Sequence, residues 1–309
     1  MQRNLSSGNL TADKRADYAR MLGEAGDFQA ASEVMQQALD LVPDWTAGWF
    51  LAGEYFEKAG NTACAIAAFD RVLNASPDDR FGARLKLAHA RGESLADPQT
   101  AYVEALFDDY AEKFDNSLIE KLGYRVPALL ADMVEHNSPG QTFGHCVDLG
   151  CGTGLMAQAL GSKSCLYTGI DLSAAMLAKS DEKQLYMKLI KADLVEGMAI
   201  AGQADLIIAA DVFMYLGSLA LVMAAAERHL SQDGLFAFSV ELGKTGIDYQ
   251  LRSSMRHAHS KNYVTACLES VGLKPLEMRT EIIRTDGQIA IEGLLVIADK
   301  PNRHMNADG

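Results

Sequence analysis

The chain has 309 residues, 49% apolar and 22% charged, an ordinary globular composition with room for about two domains. Its net charge of -13 opposes DNA, RNA and anionic membrane surfaces, which are held mainly by Lys and Arg, and no basic run offsets it. No nucleic-acid or membrane partner is therefore expected. The five cysteines, Cys64, Cys146, Cys151, Cys165 and Cys267, are odd in number and form no CxxC pair. That argues against a disulfide framework and against a Cys-rich zinc site, so no metal is expected. The opening MQRNLSSGNLTADKR is polar and lacks the apolar stretch of a secretory signal. A reducing, cytoplasmic compartment is the expectation.

In chain order, the first pattern is a repeat. Gly26-Asp27, Ala31, Met35, Ala38 and Pro43 align with Gly60-Asn61, Ala65, Phe69, Val72 and Pro77, each pair offset by 34 residues. Two antiparallel helices per copy fit this pattern, with small residues such as Gly53 and Ala65 allowing close approach. Pro77 stops the second helix of its copy, because it has no N–H and clashes with the preceding turn. Residues 12–45 and 46–79, closed by a helix at about 80–92, resemble tetratricopeptide repeats, whose length is 34. The first copy departs from the family pattern, lacking an aromatic where the second has Trp49. The resemblance implies a peptide-binding groove or a self-association surface. A helical appendage that shields the next domain would look the same. The polar Arg91-Gly-Glu-Ser-Leu-Ala-Asp-Pro98 marks the boundary between a repeat domain, 12–92, and a second domain, 98–300.

From residue 144 apolar runs alternate with helical stretches, the pattern of a mostly parallel sheet covered by helices. Cys146–Leu149 is a first strand running into Gly150-Cys-Gly-Thr-Gly154. Leu166–Asp171, Met187–Ile190, Asp205–Asp211 and Gly234–Glu241 follow as strands. The last two, about 274–284 and 288–298, are joined by a Thr285-Asp-Gly hairpin turn. The glycine loop carries most weight, since glycines between a strand and a helix let a ligand touch backbone. A dinucleotide loop, G-x-G-x-x-G, would place its third glycine at 155, where Leu stands; here the third glycine is Gly154.

Val147-Asp-Leu-Gly-Cys-Gly-Thr-Gly154 closely resembles the first motif of class I S-adenosylmethionine-dependent methyltransferases. The resemblance implies a Rossmann-like α/β fold with seven strands and an antiparallel terminal hairpin, with S-adenosylmethionine as cofactor and S-adenosylhomocysteine as product. It assigns Asp148 and Gly150, Gly152 and Gly154 to the cofactor loop. Asp171 would bind the ribose hydroxyls, two acceptor oxygens meeting two donors. Leu172 would pack on the adenine, Asp193 would take its amino group with Leu194 beside it, and Asp211 would end the fourth strand as a further ligand-binding acid, where such enzymes place substrate-facing residues. Singly, Asp148 reads equally well as a turn residue and Asp193 as a helix cap; their order is what distinguishes the family. The paired acids of aminopropyl transferases are absent.

Upstream, Tyr102–Asp115 resembles the helix that covers the cofactor in many small-molecule methyltransferases, within a lid expected over 98–140. Phe107, Tyr110 and Phe114 share one face of it. A plain core stripe would give that spacing too; Tyr110 stands out because its hydroxyl can reach a cofactor carboxylate. With the repeats in front, the chain resembles a bacterial group of repeat-containing methyltransferases. After the fifth strand, Arg252–Tyr263 gathers polar groups in a loop-like region on the ligand side of the sheet. There His259 is a candidate base, with Tyr263 one turn on, Arg256 before it and Ser260 as a cap for the next helix. Tyr215 is the other candidate catalytic residue. Asp211-Val-Phe-Met-Tyr215 departs from N-P-P-[YF], which disfavours planar amide or base nitrogens as acceptors. The expected activity is methyl transfer to a small molecule through O, N or S. The alternatives are a protein methyltransferase that recruits its target through the repeats, and a non-catalytic scaffold that senses the cofactor.

Overall fold

A computed structural model describes residues 6–114, 123–286 and 289–301. The chain divides into two compact units, Met1–Leu95 with Ala101–Ala105, and Ala96–Thr100 with Leu106–Gly309.

The first unit is helical: α1 (Leu10–Glu24), α2 (Phe28–Leu41), α3 (Thr46–Lys58), α4 (Thr62–Ala75) and α5 (Ala83–Arg91). The repeat seen in the sequence recurs in the helix ends. Asp27 caps α2 by accepting from the Ala30 N–H at 3.0 Å, and Asn61 caps α4 by accepting from the Cys64 N–H at 3.2 Å. Gly26 and Gly60 before them turn the chain with φ of +85° and +81°. Helices α2 and α4 each stop two residues before a proline, as the bias of a pre-proline residue away from helix requires. A Cβ on Gly53 would come within 2.5 Å of the Phe69 ring, so this glycine is what lets α3 lie against α4.

The second unit is an α/β sheet. Helix α6 (Thr100–Tyr110), which belongs to this unit from Leu106 on, runs into a short 3-10 turn at Ala111–Lys113. After the segment 115–122, which lies outside the described residues, comes α7 (Val126–Asn137). Then follow β1 (Phe143–Leu149), α8 (Leu155–Leu160), β2 (Ser164–Asp171), α9 (Ala174–Glu182), β3 (Lys188–Lys191), α10 (Leu194–Ala201) and β4 (Ala204–Ala209). A 3-10 turn at Phe213–Tyr215 leads to α11 (Ala220–His229), β5 (Leu230–Leu242), β6 (Tyr249–Leu251), β7 (His257–His259), α12 (Lys261–Val271), β8 (Lys274–Asp286) and β9 (Ile289–Asp299). Although α7 falls inside the segment expected as a lid, it packs Val126, Leu130 and Met133 into the core with Phe143 and Cys146.

Strands β3, β2, β1, β4 and β5 are parallel neighbours in that order, and β9 pairs antiparallel with β5 and β8. The turn glycine of that hairpin, Gly287, lies outside the described residues, as does the polar tail beyond residue 301. The chain leaves β1 toward β2 and returns past it to β4, so the loops after β1 and β4 part at the carboxyl ends of the strands. That is where open sheets of this kind bind ligands.

One stretch differs from its sequence reading. Residues 249–259 are a small β6–β7 hairpin attached to the end of β5 through Glu241 and Leu242, not a loop. Its short strands alternate too briefly to stand out among Arg, Ser and His. Ser260 does cap the following helix, accepting from the Tyr263 N–H at 3.3 Å. Among the described residues no helix is long and apolar enough to cross a membrane.

Candidate active site

The glycine loop connects β1 to α8 in an all-left-handed sequence of glycines. Gly150, Gly152 and Gly154 have φ of +61°, +53° and +89°, a region that side chains disfavour. Space enforces one of them independently, since a Cβ on Gly150 would lie 2.6 Å from Val212. The loop is pinned to the next strand where the Cys151 N–H donates to the Ile170 carbonyl at 2.9 Å.

Asp171 ends β2 and locks the loop from the side. Its Oδ2 accepts from the Gly152 N–H at 2.9 Å and its Oδ1 from the Ser173 N–H at 2.8 Å. Each oxygen keeps a further lone pair, so both can still accept from a ligand with two adjacent hydroxyls. Burial raises the Asp171 carboxyl above its ordinary range against the pull of these N–H donors. Leu172 follows it, half-buried. Asp193 ends the segment after β3 and caps α10, accepting from the Val195 and Glu196 N–H groups at 2.9 and 3.0 Å. Leu194 beside it packs on the core.

Asp148 sits behind the loop, 1% exposed. Burial raises its pKa to about 7, while the Tyr186 hydroxyl, donating to Oδ2 at 2.6 Å, pulls it back down. Tyr186, in the connection before β3, carried no motif and went unnoticed in the sequence.

Helix α6 closes the other side. Asp108 accepts from the Ser173 hydroxyl at 2.6 Å and from the Ala175 N–H at 3.3 Å, so α6 is joined to the start of α9. Glu112 reaches Lys179 of α9 at 3.2 Å. Phe114 lies against the loop, since a Cβ on Gly152 would stand 3.7 Å from its ring. Tyr110 packs edge-on to Phe114 with centroids 5.8 Å apart. Phe107 meets both Phe114 and Tyr215, the latter at 5.4 Å.

Asp211 departs from its expected part. It does not stand open to a ligand: the Arg284 Nη1 donates to both its oxygens, at 2.8 and 2.7 Å. Arg284 also pairs closely with Glu241, which in turn accepts from Arg252 at 2.9 Å. Asp211 adopts a φ of +61°, and its N–H donates to the Ser239 hydroxyl at 2.9 Å. Arg284 escaped sequence reading because it lies beside the irregularity between Ile282 and Arg284 in β8. That shift buries Ile283 and Arg284 together, where strict alternation would expose one of them.

The two candidate catalytic residues have different surroundings. His259 is fully buried on β7. Its Nε2–H donates to the Gly217 carbonyl at 2.9 Å, and its ring stacks on Tyr263. Burial lowers its pKa to about 4, so it is neutral at physiological pH. Burial raises the pKa of Tyr215, against the pull of the Arg256 guanidinium.

Residues 147–238, from β1 through β5, match the model of a methyltransferase domain. Over 109 residues the chain is 28% identical to a malonyl-(acyl-carrier protein) O-methyltransferase of Enterobacter lignolyticus, a match covering 35% of this chain and 43% of that relative. The chain thus spans less than half the length of that curated relative. Among solved structures, the 1,6-didemethyltoxoflavin-N1-methyltransferase of Burkholderia thailandensis shares the fold. It has 16% identity and a TM-score of 0.50 over 68% of this chain and 92% of that one. An S-adenosylmethionine-dependent methyltransferase of Clostridium acetobutylicum aligns at 16% identity and a TM-score of 0.49, over 64% of this chain and all of that one.

Proposed function

We propose that the protein transfers a methyl group from S-adenosylmethionine to a small molecule. The observation that carries this reading is the convergence of the left-handed glycine loop, the Asp171 carboxylate and the aromatic face of α6 on one end of the sheet. When bound, S-adenosylmethionine supplies a methyl carbon whose bond to sulfur breaks, the electron pair returning to sulfur, as a lone pair of the acceptor forms the new bond.

The chain's part is binding, orientation and exclusion of water. Asp171 accepts from the ribose hydroxyls, and its own backbone donors hold it in place for that. Leu172 and Leu194 flank the adenine, and Asp193 takes its amino group with the acceptor capacity that capping leaves. The loop glycines and Asp148 receive the amino-acid end, with the Tyr110 hydroxyl above it. A base is required only where the acceptor is a hydroxyl or a protonated amine. His259 is better suited to positioning than to proton abstraction: it holds the Gly217 carbonyl, two residues from Tyr215. Tyr215 is the residue we place against the acceptor.

A small acceptor is favoured because α6 is fixed across the glycine loop by Asp108, and Phe107 closes on Tyr215. The N-terminal unit supports the second reading, a protein acceptor recruited by tetratricopeptide-like repeats, through its helix ends recurring every 34 residues. Incubation of the protein with methyl-labelled cofactor and a cell extract, followed by separation by size, distinguishes the two. Label among small molecules is expected. Label on protein favours recruitment through the repeats, and no turnover to S-adenosylhomocysteine would refute catalysis.

A further inference from the structure

We infer that the protein pairs with a second copy of itself through the outer face of α1, the two helices running antiparallel about a two-fold axis. The inference concerns the first unit and does not depend on the identity of the methyl acceptor.

Helix α1 buries Ala12, Ala16 and Ala19 against the rest of the helical unit. Its opposite face carries Leu10, Lys14, Asp17, Tyr18 and Met21, at i, i+4, i+7, i+8 and i+11, so these side chains form one stripe along the helix. All five are exposed, with Leu10 at 72%, Tyr18 at 55% and Met21 at 64%. Apolar side chains scattered singly over a surface need no explanation. Three aligned on one face of one helix, rimmed by charge, mark an interaction surface.

The 34-residue repeat shows what such a face does elsewhere in the same unit. One repeat along, Lys14, Tyr18 and Met21 correspond to Gly48, Ala52 and Tyr55 of α3. In α3 those three positions are buried against the helices before it. A Cβ on Gly48 would stand 3.1 Å from Leu39 of α2, and a Cβ on Gly23, near the end of α1, would stand 2.7 Å from the Tyr55 ring. The face by which α3 packs on its neighbours is therefore the face that α1 leaves exposed. It carries large apolar side chains at two of the positions that are packed in α3.

The occupant follows from the order of the charges. Lys14 and Asp17 stand in the middle of the stripe, and Leu10 and Met21 lie four residues outside them, one on each side. When two such helices cross antiparallel, Lys14 meets the partner's Asp17 and Leu10 meets the partner's Met21. Each pairing occurs twice, as an isologous two-fold interface requires. Asp17 already pairs with Arg20 of its own helix, but its side chain is 71% exposed and a carboxylate has acceptor sites for a second cation. A parallel pairing would set Lys14 against the partner's Lys14, which like-charge repulsion opposes. A wholly basic or wholly acidic partner would satisfy one of the two charges and repel the other, whereas a second copy satisfies both. One helix pair buries a small area, so the dimer is of the weak class and forms as concentration rises.

The test is sedimentation velocity of the full chain across the micromolar range. The wild type is expected to pass from monomer to dimer as its concentration increases. Lys14→Glu sets an acid against the partner's Asp17, and Asp17→Lys sets a base against the partner's Lys14. Each should weaken dimerisation by about tenfold or more. Both side chains are exposed, so neither variant should lose its fold. Mixing the two variants in equal amounts should restore a heterodimer, because across that interface both charge pairs are again opposite in sign. A wild type that stays monomeric at the highest concentration, dimerisation untouched by either substitution, or no recovery in the mixture would overturn the inference.

Discussion

The Asp108 carboxylate on α6 accepts a 2.6 Å hydrogen bond from Ser173, the residue that also caps α9. One carboxylate thus ties the helix over the cofactor loop to the segment that carries Asp171, two residues before Ser173. Replacing Asp108 with Ala should free α6 at a cost of about 1.5–3 kcal/mol, the range of a charge-assisted hydrogen bond. We expect KM for S-adenosylmethionine to rise roughly tenfold. Faster amide exchange over 107–114 should accompany it. An unchanged KM with unchanged exchange would show that the tie is dispensable.

On the proposed reading, Asp148 should make cofactor binding depend on pH. Its folded pKa, raised to about 7 by burial, lies above the ordinary 3.8. Below pH 7 the apoprotein therefore holds a proton that the unfolded chain gives up. Between those two values its contribution to stability falls as pH rises, by a few kcal/mol in all. If Asp148 receives the cationic amino-acid end as proposed, the carboxylate form is the one required, and S-adenosylhomocysteine affinity should fall as pH drops from 8 to 6. Tyr186→Phe removes the bond that favours the carboxylate and should move the midpoint upward. Asp148→Asn should flatten the profile; a profile that stays the same in Asp148→Asn would assign the titration to another group.

The loop glycines should differ in how badly they tolerate a side chain. Gly150→Ala combines a φ of +61° with a 2.6 Å approach to Val212 and should destabilise by about 2–4 kcal/mol. Gly152→Ala meets Phe114 at ordinary contact distance, so only the backbone term, about 1–2 kcal/mol, should remain. Equal melting temperatures for the two variants would contradict the crowding at Val212.

Arg284 is the keystone of the buried charges. Arg284→Met leaves Asp211 and Glu241 facing each other without their shared cation, and should cost about 3–5 kcal/mol. Thermal unfolding measures this directly. A loss under 1 kcal/mol would mean that water or Arg256 takes over the role.

The glycine loop and the carboxylates around it were legible because their signals are local. Gly150 to Gly154 follow a strand and open a helix, and Asp171 and Asp193 each end a strand-like run, all positions readable without knowing the sheet. Asp193 was readable also as a cap, and it is one. The buried contacts between side chains were not legible, because they join segments far apart in sequence. Arg284 meets Asp211 across 73 residues and Glu241 across 43. Tyr186 meets Asp148 across 38. His259 illustrates the converse error: a titratable residue in a polar stretch suggests an open base, yet a three-residue strand carries it into the interior.

The most direct measurement is calorimetric titration of the full chain with S-adenosylhomocysteine, wild type against Asp171→Ala. Wild-type binding with a loss of about 1.5–3 kcal/mol in the variant is predicted, as expected when a charged acceptor of two hydroxyls is removed. Equal affinity in both proteins would contradict the placement of the cofactor on the carboxyl ends of β1 and β2.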